Sequence, residues 1–237
     1  MPNISELVVQ LGSGDQVQAY RARRELFQIV WHVGKPGNEA ESGQLASALA
    51  AELASPHSPR VRGEVCRFLS KVAGEAEAKQ LAAQLSDADV REMARWALER
   101  VPADAATDAL IESSATAEAV EFRVGAIGSL AHKRGPAVVA CLASCAADKE
   151  PEVAVAALDA LAEQADPAGD AAFAAAISAG GSERTLQRMV RARLRLADRL
   201  VHADRKDAAQ AVFQAIVAGP AAPVQQAAAQ RSLAELE

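Results

Sequence analysis

The chain has 237 residues, is 50% hydrophobic and only 3% aromatic, and carries a formal net charge of -6. This much apolar material excludes wholesale disorder, and an alanine share of roughly a quarter favours closely packed helices over a β-sandwich or barrel. The negative balance argues against a protein whose whole surface binds nucleic acid, while leaving room for a local basic patch.

From the N-terminus onward, short helical segments alternate with a repeated apolar pattern. The segments are expected at 4–11, 44–54, 77–85, 104–112, 136–147, 168–178 and 207–218. After each comes an apolar residue, often followed by Arg, with small or apolar residues four, eight and eleven positions on. Ala22-Arg23 with Leu26, Val30 and Val33 is the first copy, although Tyr20-Arg21 offers a competing register. The clearest copies are Val61-Arg62 (Val65, Leu69, Val72) and Val90-Arg91 (Ala94, Leu98, Val101). Phe122-Arg123 continues with Ala126 and Leu130, and Val153-Ala154 with Ala157 and Leu161. Looser copies are Leu186-Gln187 with Val190 and Leu194, and Val224-Gln225 with Ala228 and a slipped Leu233. Such offsets share one helical face, and the spacing predicts about seven helix pairs.

The joints carry stop and start chemistry. Pro56, Pro102 and Pro167 cannot sit inside a helix without losing a hydrogen bond, whereas Pro136 and Pro151 suit a first turn. Asp87, Asp89, Asp104, Asp148 and Ser182 are candidate N-caps, and Gly34, Gly74 and Gly180-Gly181 suit helix exits. The longest irregular stretch is expected at 34–43. No stretch reads as a linker, so residues 1–237 are expected to form one domain.

The unit, a first helix, a turn with Asp or Pro, then Val-Arg-x-x-Ala-x-x-x-Leu, resembles the HEAT repeat family, in particular the short bacterial HEAT-like repeats of phycobilin lyases. The likeness is best over 56–165 and weakest after 180. It implies an all-α fold, an α-solenoid (a HEAT/armadillo-like superhelix of antiparallel helix pairs) whose second helices line a concave face. It also implies that the Arg after the Val sits at the seam between repeats and pairs with a turn Asp. Arg62, Arg91 and Arg123 match that position, while Ala154, Gln187 and Gln225 depart from it. A solenoid follows physically, because one helix pair buries too little apolar surface to stand alone.

Two surface features stand out. Arg184, Arg188, Arg191, Arg195 and Arg199 form one helical stripe within 183–206, a stretch with a local balance of +5. Guanidinium forks suit phosphate or carboxylate, although a solvated face with acidic partners on neighbouring helices is the simpler reading of the stripe. Arg193 projects into the apolar half, where snorkelling or a pair with a neighbouring acid is expected. Trp96 falls away from the core direction of Val90, Ala94 and Leu98, flanked by Glu92, Met93, Arg95, Glu99 and Arg100, a composition typical of binding hot spots. The second-helix residues Arg67, Lys71, Arg95, Trp96 and Arg100 are the candidate partner-binding residues. Trp31 is expected in core or seam packing.

Other chemistry is thin. Cys141 and Cys145 are four apart on a predicted helix, and two such thiols with His132 and Cys66 could hold a metal only if the fold gathered them. Buried thiols are the simpler reading, and three cysteines make no disulfide framework. The four histidines (His32, His57, His132 and His202) are scattered without a following Glu, unlike the His-Glu pairs of HEAT-type di-iron hydroxylases. Phosphate loops, G-x-S-x-G elbows and H-E-x-x-H motifs are absent from the sequence. No cofactor or metal is therefore expected. No window approaches the ~18 apolar residues of a membrane span, and no signal peptide is visible, so a cytoplasmic protein is expected. The leading expectation is a non-catalytic scaffold presenting a curved helical face to a protein partner. The alternative is a nucleic-acid-binding protein or enzyme, DNA glycosylase-like or lyase-like, using the basic helix at 183–206.

Overall fold

The computed structural model describes residues 3–236. Among them are fourteen α-helices, two 3-10 turns and no strand. In chain order the helices are α1 (Ile4–Leu11), α2 (Gln16–Val33), α3 (Glu39–Glu52), α4 (Pro59–Val72), α5 (Glu75–Ala83), α6 (Arg91–Arg100) and α7 (Asp104–Thr116). They continue as α8 (Val120–Leu130), α9 (Pro136–Cys145), α10 (Pro151–Ala162), α11 (Asp170–Ser178), α12 (Glu183–His202), α13 (Lys206–Ala218) and α14 (Pro223–Leu236). Helices occur at all fourteen expected places, and the fold is an α-solenoid of HEAT/armadillo-like helices. No helix among the described residues is long and apolar enough to cross a membrane.

The chain divides into two compact units, Met1–Ser113 and Ser114–Glu237. In the first, α1 packs on α2, α3 on α4 and α5 on α6, while first helices contact first helices (α1, α3, α5) and second contact second (α2, α4, α6). This two-way contact closes the core that one pair cannot close alone. In the second unit, α8, α10, α12 and α14 form the corresponding row, with α9, α11 and α13 packed on their successors.

The repeat predicts the core well through the fifth copy. Ala22, Leu26, Val30 and Val33 are buried, as are Val61, Val65, Leu69, Val90, Ala94, Leu98, Phe122, Ala126, Leu130, Val153, Ala157 and Leu161. The competing register is excluded, because Tyr20 is 65% exposed. The last two copies need correction. On α12 Val190 is buried as expected, but Leu196 rather than Leu194 continues the core. On α14 the buried pair is Gln225 and Ala229, whereas Val224 is exposed and Ala228 only half-buried. Gln225 is drawn inward because its amide donates to the Gln187 carbonyl at 2.7 Å and its oxygen accepts from the Ala222 N–H at 3.2 Å.

The helix starts follow local chemistry. Ser182 caps α12 by accepting from the Thr185 N–H, and Pro136 and Pro151 open α9 and α10. Asp104 lies inside α7 rather than before it. Asp87 and Asp148 lie four and three residues before the first residues of α6 and α10, accepting from the N–H groups of Asp89 and Glu150 at 2.9 Å each. The irregular stretch after α2 ends sooner than expected: α3 begins at Glu39, so Gly43 is helical. Glu39 accepts from the Gly37 N–H at 2.9 Å, which holds its carboxyl below the usual range. A carboxylate there also complements the positive end of the helix dipole.

Two seam arginines find the Asp that the resemblance implies. Arg62 pairs with Asp87 at 2.7 Å, and Arg123 pairs with Asp148 while its Nε donates to the Ser114 carbonyl at 2.9 Å. In both cases the partner lies 25 positions on, in the next turn. Arg23 pairs instead with Glu64 at 3.0 Å.

Candidate functional site

One face of α2 builds the most distinctive surface of the first unit. Ala22, Leu26, Val30 and Val33 occupy the buried side of this helix. Tyr20, Phe27 and Trp31, with the adjacent Arg23 and Arg24 between the first two, form a second, exposed stripe at helical spacing. Tyr20, Phe27 and Trp31 are exposed by 65%, 60% and 68%. The Phe27 and Trp31 rings stack at 6.5 Å between centroids and 14° between planes.

Beside this stripe runs α4, which contributes Glu64, Arg67, Phe68 and Lys71, again at helical spacing. Next comes α6, which contributes Trp96. Together with Val30, Gly34, Lys35 and Pro36 they line a groove of about 800 Å³. Phe68 is buried in its floor. In a chain that is 3% aromatic, both tryptophans, the tyrosine and two of the five phenylalanines line this groove.

The charges of the groove are unevenly satisfied. Glu64 holds Arg23 at 3.0 Å and approaches Arg67 at 3.9 Å. Arg24, Lys35 and Lys71 are exposed and have no carboxylate partner among the described residues. Trp96 is half-buried beneath the Arg100 guanidinium, whose Cζ lies 3.9 Å from the ring centroid. That contact is a cation–π pair.

The sequence-predicted partner residues separate accordingly. Arg67, Lys71 and Trp96 meet in the groove. Arg95 and Arg100 do not line it; Arg95 pairs with Glu92 at 2.9 Å, and Arg100 donates to Glu99 and to the Trp96 carbonyl at 3.0 Å. Trp31 corrects the expectation of core packing. The core side of α2 is already filled by Leu26 and Val30, so Trp31 faces outward. Tyr20 and Phe27 were missed as site residues. Their spacing to Trp31, eleven and four residues, carried the signal of a second apolar stripe.

Three arginines of the α12 stripe pair with carboxylates in and directly after α10. Arg188 and Arg195 share Asp159 at 2.7 and 2.6 Å, and Arg199 pairs with Glu163 at 2.6 Å. Arg191 donates to the Gln187 carbonyl at 3.4 Å, and Arg184 is exposed at the start of the helix. Arg193, 9% exposed, makes two bonds of 2.6 and 2.7 Å to Asp170, so of the two expected arrangements it takes the acidic pair rather than snorkelling. A shallower depression of about 600 Å³ lies between α8, α10 and α12, lined by small residues with Asp159 and Arg188 at its edge.

The cysteines do not form a metal centre. Cys66 is buried, and burial pushes its thiol up to about 12. Cys141 is half-buried, lies 3.2 Å from Ser114 Oγ and stands one helical turn before Cys145. These neighbours pull Cys141 down to about 6, while Cys145 is raised. Among the described residues no three His, Cys, Asp or Glu side chains gather where they could hold an ion. His57, by contrast, has a local role, meeting Glu52 at 2.7 Å.

No family model and no curated protein matches the chain. Solved structures similar to it include the Escherichia coli protein YibA, at 12% identity over 97% of this chain and 91% of that one, with a TM-score of 0.49. The CpcE–CpcF complex of phycocyanin lyase from Nostoc sp. PCC7120 is 16% identical over 100% and 96%, with a TM-score of 0.44. A computationally designed armadillo repeat protein for modular peptide recognition is 20% identical over 90% and 99%, with a TM-score of 0.41. Likenesses this remote carry no argument about what this chain binds or catalyses.

Proposed function

We propose that the chain is a non-catalytic helical scaffold whose first unit binds a segment of a protein partner in the groove formed by α2, α4 and α6. The observation that carries this reading is the concentration of scarce aromatics on an exposed surface. Tyr20, Phe27 and Trp31 remain open to water although burial of each would be worth about 1.5–3 kcal/mol. Aromatic anchors flanked by arginine are the composition of interface hot spots. The α12 stripe supports a binding role less well, because three of its arginines already have carboxylate partners.

Selection from a displayed random-peptide library tests the reading. The wild-type chain should enrich a recognisable sequence class, and a Phe27→Ser, Trp31→Ser variant should not. Equal enrichment by both chains would reject the groove as the binding surface.

A second reading has a specific observation behind it. A glycosylase-like protein would need a basic, aromatic cleft with a carboxylate, and the groove holds Glu64 among its aromatics and cations. Yet Glu64 is tied to Arg23 and Arg67, and the chain is acidic overall. Binding of duplex DNA with a steep salt slope would favour this reading.

A further inference from the structure

We propose that the segment taken up by the groove is acidic: an extended or helical peptide with leucine or aromatic anchors flanked by aspartate and glutamate. This inference rests on the reading of the groove as a protein-binding surface and adds the chemistry of its partner.

The argument is one of charge complementarity. Of the six charged residues lining the groove, five are cationic. Glu64 satisfies Arg23 and lies near Arg67. Arg24, Lys35 and Lys71 are left at the rim with no carboxylate partner among the described residues, in a chain whose net charge is -6. A basic segment would meet like charge at each of these positions, and a neutral one would leave all three unanswered. An acidic segment places carboxylates against them while its apolar side chains cover Phe27, Trp31 and the edge of Trp96. Ion pairs beside apolar walls gain from the local exclusion of water and select partners by sign.

Single-stranded nucleic acid also combines stacking with positive charge, but one observation favours the peptide. Phe27 and Trp31 are stacked on each other, a ready-made wall for an aliphatic or aromatic anchor.

The test uses the full chain and its own fluorescence, since both tryptophans line the groove. A short peptide alternating aspartate or glutamate with leucine and phenylalanine is titrated in, followed by its asparagine/glutamine counterpart, its lysine/arginine counterpart and an oligothymidylate of similar length. The acidic peptide should change the tryptophan emission saturably and bind at least about tenfold more tightly than the amide peptide. Arg24→Glu combined with Lys71→Glu should erase that preference. Both side chains are exposed, so circular dichroism should be unchanged, and Lys35→Glu in the turn after α2 provides an independent variant.

Equal binding of the acidic and amide peptides overturns the acidic partner while leaving the groove as a protein site. No emission change with any peptide overturns both readings. Saturable binding of the oligothymidylate alone overturns the proposal in favour of nucleic acid. Dimerisation of the chain that is abolished by Trp31→Ser overturns it in favour of a second copy as occupant.

Discussion

Phe27 and Trp31 stack on one another, one helical turn apart, on the side of α2 that faces away from the core. The stack shields little of either residue, for they remain 60% and 68% exposed. A helix therefore carries its structural apolar face and a second, unburied apolar face at once. The first accounts for folding, and the second is the part of the molecule that folding leaves unused.

That separation predicts how the residues respond to truncation. Phe27→Ala and Trp31→Ala should each leave the unfolding free energy within about 0.5 kcal/mol of wild type. Phe68→Ala, in the buried floor of the same groove, should cost about 3–5 kcal/mol. Urea denaturation followed by circular dichroism distinguishes them. A large loss for Trp31→Ala would show that the stack supports the fold rather than a partner.

Arginines of one helix should differ as sharply. Arg193→Ala strands the carboxylate of Asp170 and removes a nearly buried two-bond pair, at a cost of about 3 kcal/mol. Arg188→Ala and Arg195→Ala act on exposed pairs that share Asp159, so each should cost about 0–1 kcal/mol. Comparable losses at Arg193 and Arg195 would contradict the assignment of the stripe as a screened surface network.

Acid should weaken the fold through the turn aspartates. Asp87 is held below the usual carboxylate range by the Asp89 N–H and then by Arg62. Asp148 is held there by Arg123 and then by the Glu150 N–H. A depressed folded-state pKa stabilises above the unfolded value, about 3.9, and that stabilisation is lost as pH falls through the lower folded value. Urea midpoints measured from neutral pH downward should fall on this acid limb. Asp148→Asn should lower the neutral plateau and flatten the limb, and an unchanged acid dependence in the variant would count against the assignment.

Cys141 should be the reactive thiol. Cys145 and Ser114 lower its pKa to about 6, whereas Cys66 is buried with its thiol raised to about 12. A brief iodoacetamide pulse at neutral pH, read by peptide mass spectrometry, should label Cys141 first, because the thiolate is the nucleophile. Ser114→Ala should slow that labelling several-fold. Labelling of Cys66 at the same rate would show that neither burial nor the Cys145–Ser114 pair controls reactivity.

Much of the fold was legible in the spacing of apolar residues. Offsets of four, eight and eleven picked out Val61, Val65 and Leu69, and likewise Val90, Ala94 and Leu98, all of them buried. Legibility failed where a side chain's burial depends on a distant partner. Arg193 lies inside because Asp170 waits on α11, and Gln225 lies inside because the Gln187 carbonyl accepts its amide. Neither partner leaves a periodic trace around the residue it buries. The candidate site was half legible: Arg67, Lys71 and Trp96 were read from the sequence, whereas Trp31 was placed in the core and Tyr20 and Phe27 were passed over.

The chain's acidity, its scarcity of aromatics and its alternation of helices are properties of the sequence by itself, because local periodicity and turn chemistry act over a few residues. Which apolar face of α2 is covered was decided only by tertiary structure. Both faces satisfy helical spacing, and only the arrival of α1, α3 and α4 against one of them selects the buried set. The same packing sets α4 and α6 beside the other face, where aromatics and cations scattered over 77 positions, from Tyr20 to Trp96, become one groove.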